Sequence, residues 1–306
     1  MGILDGKVAI VTGSSKHIGR AIALQLAEEG ARVVTNSRNP DSPTGTAEQV
    51  ANEIVASGGS AVAVYANVAT VEGGSRIVAT ALENFGTVDI LVNNAGYAYN
   101  DPIEEITEEQ WDEIIGVNVK GLFTTTRAVV PVMKEKGWGR IVNIGSRVGV
   151  NGNVGYASYG AAKAGTVGFT FAMAHELAPA GITANCVMPT ATTTKTEQAR
   201  QRRAELTGVY NPPSQDTLPE HVAPIVLYLA SDDGGGINGQ LFHATGGDIS
   251  LYAPPLMTRV LHKQGKWTQE ELVRLVPGAF GADLGPPKRP VLQNPTAAGT
   301  QAKKKG

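Results

Sequence analysis

Short, uninterrupted apolar runs recur along the first 245 residues, and longer stretches with helical spacing of their apolar positions separate them. Val8-Ala9-Ile10-Val11 leads through turn residues into a helical pattern from Ile18 to Glu29, and Arg32-Val33-Val34 begins the second run. Further runs lie at Ala61 to Tyr65, Val88 to Val92, Arg140 to Ile144, Ile182 to Met188 and Gln240 to Ala244. Continuous rather than alternating apolar strands, separated by helices, belong to a parallel sheet covered on both faces. With the right-handed crossover rule, this predicts a doubly wound α/β domain of seven parallel strands with helices on both faces. Glycine makes up 37 of 306 residues, a surplus that such a fold can use in its many tight βα and αβ turns.

The pattern stops after Tyr252. The expected organisation is one doubly wound domain over 1–252, an extension over 253–284, and a tail over 285–306. Thr268-Gln269-Glu270-Glu271 can start a short helix in the extension, carrying Leu272, Leu275 and Val276. Pro, Gly, Ala and Lys dominate the tail, which buries too little apolar surface to fold alone and is expected to be disordered. Its closing Lys303-Lys304-Lys305 is expected to be solvated charge. The 26 Lys+Arg balance 28 Asp+Glu to a net charge of −2, which gives no reason to expect nucleic acid or an anionic membrane as partner. A single cysteine excludes an internal disulfide and a Cys-based zinc site. No basic leader or spanning run is evident, and Gly6 stands where a myristoylation motif needs Ser or Thr, so a soluble cytoplasmic protein is expected.

Thr12-Gly13-Ser14-Ser15-Lys16-His17-Ile18-Gly19 joins the first strand directly to a helix. Backbone N–H groups and the helix dipole favour an anion at such a junction, and glycine lets it approach closely. Any βα turn can also use glycine for a positive φ, so the turn alone is weak evidence. The spacing resembles the TGxxxGxG turn of the short-chain dehydrogenase/reductase family, with His17 in the place of the middle glycine. No second His or carboxylate sits at ligand spacing around His17, so no metal site is expected.

Further segments resemble the same family, in its order. Asn93-Asn94-Ala95-Gly96 is similar to its NNAG segment, which supports the sheet and borders the adenosine side. Asn118 has poor helix propensity and can bend a helix; the resemblance implies that it stabilises a carbonyl kink and holds a water for proton relay. Ser146, Tyr159 and Lys163 reproduce a Ser-x12-Tyr-x3-Lys spacing similar to the catalytic signature. Tyr159 and Lys163 at i, i+4 share one helix face, so the ammonium can reach a cofactor ribose while biasing the phenol toward ionisation. That bias matters because an unperturbed phenol, with a pKa of ~10, is a poor base at neutral pH. Tyr156 lies nearby with Gly160 four residues on, and serves as a candidate substrate contact with Ser146 and Tyr159. The resemblance covers about residues 5–248 and implies a Rossmann-type fold, a nicotinamide cofactor and a homo-oligomer, tetramer or dimer.

The cofactor contacts this implies are Gly13, Ser15, Lys16, His17, Ile18 and Gly19 in the turn, then Asn67, Val68, Asn94, Ala95 and Gly96. Tyr159, Lys163, Pro189 and Thr194 complete them. An NAD-preferring site wants an acidic group at the end of the second strand. Thr35-Asn36-Ser37-Arg38 offers none; Ser37, Arg38 and Lys16 instead suit a 2′-phosphate, so NADP(H) is expected in preference to NAD(H). Tyr97, Tyr99, Val148, Tyr156 and Met188 suggest a mostly apolar substrate pocket, although core packing explains them equally well. Glu197 to Arg203 is similar to the family's mobile lid. The implied activity is hydride transfer between a secondary alcohol and a ketone, with Tyr159 as general acid/base and a 3-oxoacyl thioester or another carbonyl compound as substrate. The Asn39 to Thr46 loop and Pro219 to Leu229 resemble the dehydrogenase part of peroxisomal multifunctional enzymes. The alternative is therefore an NAD-linked (3R)-hydroxyacyl-CoA dehydrogenase, although Ser37 replaces the NAD-selecting Asp of that subgroup. A catalytically silent nucleotide sensor is the alternative of another class, and would normally have lost Tyr or Lys.

Overall fold

The computed structural model describes residues 2–210, 212, 217–253 and 259–280. The chain divides into two compact units, Met1–Pro255 and Leu256–Gly306. In the first, β1 (Val8–Val11), α1 (His17–Glu28), β2 (Arg32–Ser37), α2 (Ala47–Ala56), β3 (Ser60–Tyr65), α3 (Val71–Phe85) and β4 (Ile90–Asn93) alternate as the apolar pattern predicts. There follow α4 (Glu108–Ile115), α5 (Gly121–Lys136), β5 (Gly139–Ile144), the short α6 (Val148–Asn151), α7 (Ala157–Leu177) and β6 (Ile182–Pro189). The unit finishes with α8 (Thr194–Thr207), α9 (Ala223–Ala230), β7 (Leu241–Thr245) and β8 (Asp248–Tyr252).

The strand order is β3-β2-β1-β4-β5-β6-β7-β8. Chain direction across the sheet reverses between β1 and β4, and ligands of doubly wound sheets bind outside the strand carboxyl ends at that point. Strands β1, β4 and β5 are buried along their whole length because both sheet faces are covered. Ile22 and Leu26 of α1 pack with Val226 and Leu229 of α9 on one face; Ile77 of α3, Met133 of α5 and Leu177 of α7 cover the other. Each such side chain contributes roughly 1.5–3 kcal/mol by leaving water.

The sheet has eight strands rather than the expected seven. Strand β8 runs antiparallel to β7, with Thr245 opposite Asp248 across Gly246-Gly247, and Gly246 has φ +53°. A two-residue hairpin demands such positive φ, and a glycine pair supplies it. Ile249 and Leu251 of β8 are exposed, so this edge strand lacks the continuous apolar run that marks the other seven.

In the second unit, α10 (Gln269–Phe280) starts as its sequence predicts. Thr268 N donates to Glu271 Oε2 at 2.8 Å, and Glu271 N donates to Thr268 Oγ1 at 3.2 Å. Glu271 also receives Lys263 Nζ at 2.6 Å, and that ammonium holds the carboxyl down at about 2. The expected tail over 285–306 lies outside the described residues. No described helix is long and apolar enough to cross a membrane, and no described group of His, Cys, Asp and Glu could hold a metal ion.

Candidate active site

The turn after β1 is clamped by side chains at the ends of β2 and β4. Thr12 Oγ1 accepts the N–H groups of Asn94 and Ala95, each at 3.0 Å. Asn94 Nδ2 donates to the carbonyls of Thr12 and Gly13 at 2.9 and 3.0 Å. Asn36 Oδ1 accepts from Gly13 N at 3.2 Å, and Asn36 N donates to Ser14 Oγ at 2.9 Å. A Cβ on Gly13 would lie 2.8 Å from Ala95 Cα, and one on Gly19 would lie 2.5 Å from the Gly13 oxygen. The turn can therefore pack this closely on Ala95 and on its own carbonyls only because these two residues lack side chains. His17, at φ +50°, is the one non-glycine residue with positive φ among those described. The backbone shape that the missing glycine would give is kept, at a cost of roughly 1–2 kcal/mol.

Around this turn the expected contacts are arranged unevenly. Ser15 and Ile18 lie in it, and the Ser15 carbonyl stands 2.7 Å from where a Gly45 Cβ would be, so the Asn39–Thr46 loop folds against it. Lys16 Nζ donates to Thr44 Oγ1 of that loop at 2.6 Å. Ser37 is buried; its Oγ accepts from Ala47 N at 3.1 Å and donates to Asn39 O at 3.4 Å, so its hydroxyl braces the loop. Arg38 is exposed and reaches Glu113 of α4, Nη1 to Oε1, at 3.4 Å. Asn67 Oδ1 accepts from Ala69 N at 3.0 Å, a local turn that leaves its amide nitrogen to present outward, while Val68 is buried.

Toward the sheet centre, Asn118 sits in a single π-helical turn, Gly116–Lys120, that joins α4 to α5. Its Nδ2 donates to Tyr97 O and Ile114 O, both at 3.0 Å, while its buried Oδ1 has no partner. A Cβ on Gly96 would lie 2.4 Å from that oxygen and 3.5 Å from Lys163 Nζ. An orphaned acceptor between a bare backbone and a buried ammonium is a place for water.

Ser146 follows β5, and its Oγ accepts from Val148 N at 3.2 Å. Tyr159 and Lys163 lie one turn apart on α7, with Lys163 Nζ 5.7 Å from the Tyr159 ring centre. The ammonium donates to Ile144 O at 2.7 Å. Burial lowers the Lys163 pKa to about 8. Burial also pushes the Tyr159 phenol up to about 12, with the Ser146 hydroxyl bond pulling the other way. In the protein alone, the lysine therefore does not bring the phenol toward ionisation as its spacing suggested: both groups are desolvated, and the phenol holds its proton. The arrangement can hold a carbonyl oxygen between two hydroxyls and deliver that proton to it. Tyr156 packs against Tyr159 with ring centres 5.8 Å apart. Pro189 closes β6; the Thr194 side chain lies outside the described residues.

Two of the residues expected in an apolar pocket behave otherwise, and a buried lattice beneath the site had not been singled out. Met188 is wholly buried against Val167, Cys186 and Leu241, so it belongs to the core rather than to a pocket wall. Tyr99 carries a polar contact, its hydroxyl donating to Glu113 Oε2 at 2.8 Å. Under the site, Asn93 Nδ2 donates to Asn143 Oδ1 at 2.9 Å, Thr125 Oγ1 donates to Asn93 Oδ1 at 2.7 Å, and Asn143 Nδ2 donates to Thr170 Oγ1 at 3.0 Å. This buried lattice ties β4 and β5 to α5 and α7. Its clue was the unusual pair of asparagines ending two apolar strands.

The sequence matches the short chain dehydrogenase family over residues 7–205. It is 40% identical over 250 residues to a 3-oxoacyl-[acyl-carrier-protein] reductase of Synechocystis sp., covering 81% of this chain and 99% of that one. It is 37% identical over 253 residues to the peroxisomal hydratase-dehydrogenase-epimerase of Neurospora crassa, covering 80% of this chain but 27% of that larger protein. The fold matches that of a short chain dehydrogenase from Mycobacterium avium with a TM-score of 0.82 and 34% identity, covering 95% of this chain and 98% of the other.

Proposed function

This chain belongs to the short-chain dehydrogenase family, an oxidoreductase family working with a nicotinamide cofactor, and from that premise we propose that it reduces the 3-oxo group of an acyl thioester with NADPH. The observation that carries the proposal is the protonated Tyr159 phenol beside Ser146, with Lys163 buried one turn behind it. The turn packs too closely for a Cβ at Gly13 or Gly19 and leads straight into the N-terminus of α1, an arrangement that fits a dinucleotide's pyrophosphate. When bound, the reduced nicotinamide supplies the hydride.

Ser146 would donate a hydrogen bond to the substrate carbonyl oxygen and Tyr159 would give it a proton, leaving an alcohol. Lys163 would hold the ribose and, with a water at Asn118 Oδ1, return a proton to Tyr159. The absence of a carboxylate from Thr35-Asn36-Ser37-Arg38, with Arg38 and Lys16 nearby, supports NADPH over NADH. The thioester rests on the likeness to the Synechocystis reductase. Exposed Trp111 on α4 and Phe123 on α5 support a homo-oligomer, and the single buried cysteine suits a reducing cytoplasm.

The test is nicotinamide absorbance during reduction of an acetoacetyl thioester with NADPH and with NADH. Tyr159→Phe is expected to lose ~10²–10⁴ in turnover while NADPH affinity is retained. Undiminished turnover in that variant would refute the role of Tyr159. A wild-type preference for NADH would refute the cofactor reading, and inertness toward the thioester beside turnover of plain ketones would refute the substrate.

A further inference from the structure

We propose that Glu113 is a specificity-determining residue that competes with the cofactor's 2′-phosphate for Arg38, and so limits the discrimination of NADP(H) from NAD(H). The proposal rests on the NADP(H) reading above only for the role of Arg38. The remainder comes from a cluster that this reading does not use. Arg38 leaves the end of β2, where a dinucleotide's adenosine ribose would lie, and reaches across to α4 to meet Glu113 at 3.4 Å. Tyr99 fixes the other carboxylate oxygen at 2.8 Å. The three side chains line one cleft of about 510 Å³ that continues to Gln198 and Arg202 of α8.

Glu113 is an anion rather than a neutral acid: hydrogen bonds from Tyr97 and Tyr99, followed by Arg38, hold its carboxyl below the usual range. Among the described residues, Arg38 has Glu113 as its carboxylate partner, and both side chains remain substantially exposed, at 57% and 38%. Such a solvated pair is weak and can be exchanged. A phosphate dianion offers the guanidinium a better, bidentate acceptor than a carboxylate at 3.4 Å. Two consequences follow. Binding a 2′-phosphate must draw Arg38 from Glu113, and the carboxylate left behind, tethered by Tyr99, repels the phosphate. A 2′-hydroxyl makes neither demand. Tyr99 belongs to the segment after β4, so the same carboxylate also links the end of β2 to that segment.

The test measures dissociation constants of NADP⁺, NAD⁺ and 2′-AMP by calorimetry on the full chain. Glu113→Gln keeps the shape and the Tyr99 contact while removing the charge, and is expected to tighten NADP⁺ and 2′-AMP binding by ~3–10-fold while NAD⁺ changes less than ~2-fold. The gain should shrink at high salt. Arg38→Ala should shrink it to the part that comes from direct repulsion between Glu113 and the phosphate, because Glu113 then has no guanidinium to withhold. Weaker NADP⁺ binding in Glu113→Gln would overturn the proposal by making Glu113 a support for Arg38. Equal changes for NADP⁺ and NAD⁺ would overturn it too, as would an unchanged gain in the Arg38→Ala background. Glu113→Ala gives a second reading of the same charge removal if the glutamine variant does not fold. A wild-type preference for NAD⁺ would remove the NADP(H) reading, while an Arg38-dependent shift in the ratio on Glu113→Gln would still uphold the competition.

Discussion

Replacing Lys163 by methionine should make the protein more stable near neutral pH while abolishing its turnover, and the stability gain should reverse at alkaline pH. Lys163 is 5% exposed, and burial moves its pKa from 10.5 to about 8. Below pH 8 the lysine is charged in both the folded and the unfolded chain, so the fold carries the penalty of a buried ammonium. The interval from 10.5 to about 8 corresponds to roughly 3 kcal/mol. Methionine removes that penalty but also removes the hydrogen bond to Ile144 O, which Lys163 makes at 2.7 Å. Leaving that carbonyl unsatisfied costs about 1–2 kcal/mol. The net expectation at pH 7 is a gain of about 1–2 kcal/mol, a rise in Tm of about 2–6 °C for a domain of this size.

The sign then turns with pH. Between pH 8 and 10.5 the unfolded chain binds more protons at this lysine than the folded one, so the stability of the unsubstituted protein rises with pH through that window. By pH 10 most of the roughly 3 kcal/mol has been recovered, leaving the variant about 1 kcal/mol the less stable of the two. Urea unfolding of both proteins, without nucleotide, at pH 7 and pH 10 measures the crossing, and other titrating groups largely cancel in the difference. A stability difference that stays the same at both pH values would refute the reasoning, because Lys163 would then not be a desolvated cation in the fold.

Gly19→Ala places a methyl 2.4 Å from Asn94 Nδ2 and 2.5 Å from the Gly13 oxygen. The turn must open, and nucleotide affinity measured by calorimetry should fall by more than ~10-fold, or about 1.4 kcal/mol. Retained affinity would mean that the turn does not hold the ligand closely. Asn143→Ala removes the acceptor of Asn93 and the donor to Thr170 within the sheet, both fully buried bonds. A loss of ~2–4 kcal/mol is expected from the urea midpoint; a change within ~0.5 kcal/mol would show that the lattice is dispensable.

Much of the fold was legible because the central parallel strands are buried on both faces and so must be continuous apolar runs, as Val8–Val11 and the Ile90-Leu91-Val92 run are. The failure at β8 has the same cause: its Ile249 and Leu251 face solvent, and the continuous apolar run that identifies the other strands is absent from this edge. The reactive residues were legible because they belong to short local spacings, Tyr159 to Lys163 above all. Their electrostatics were not, since spacing shows that an ammonium can approach a phenol but not that both lose water, and desolvation here outweighs their mutual influence. The Arg38–Glu113 pair is hidden for a different reason. Its members are 75 residues apart and meet only because β2 and α4 open on the same crevice, a fact of the strand order rather than of any motif. His17 lies between these cases. Its sequence position announced a missing glycine, yet the backbone keeps φ +50° there, in a turn whose opening residues Thr12 and Gly13 are held by Asn36 and Asn94. Where neighbouring contacts over-determine a backbone conformation, the residue that usually permits it can be replaced, and a motif then understates how well its site is built.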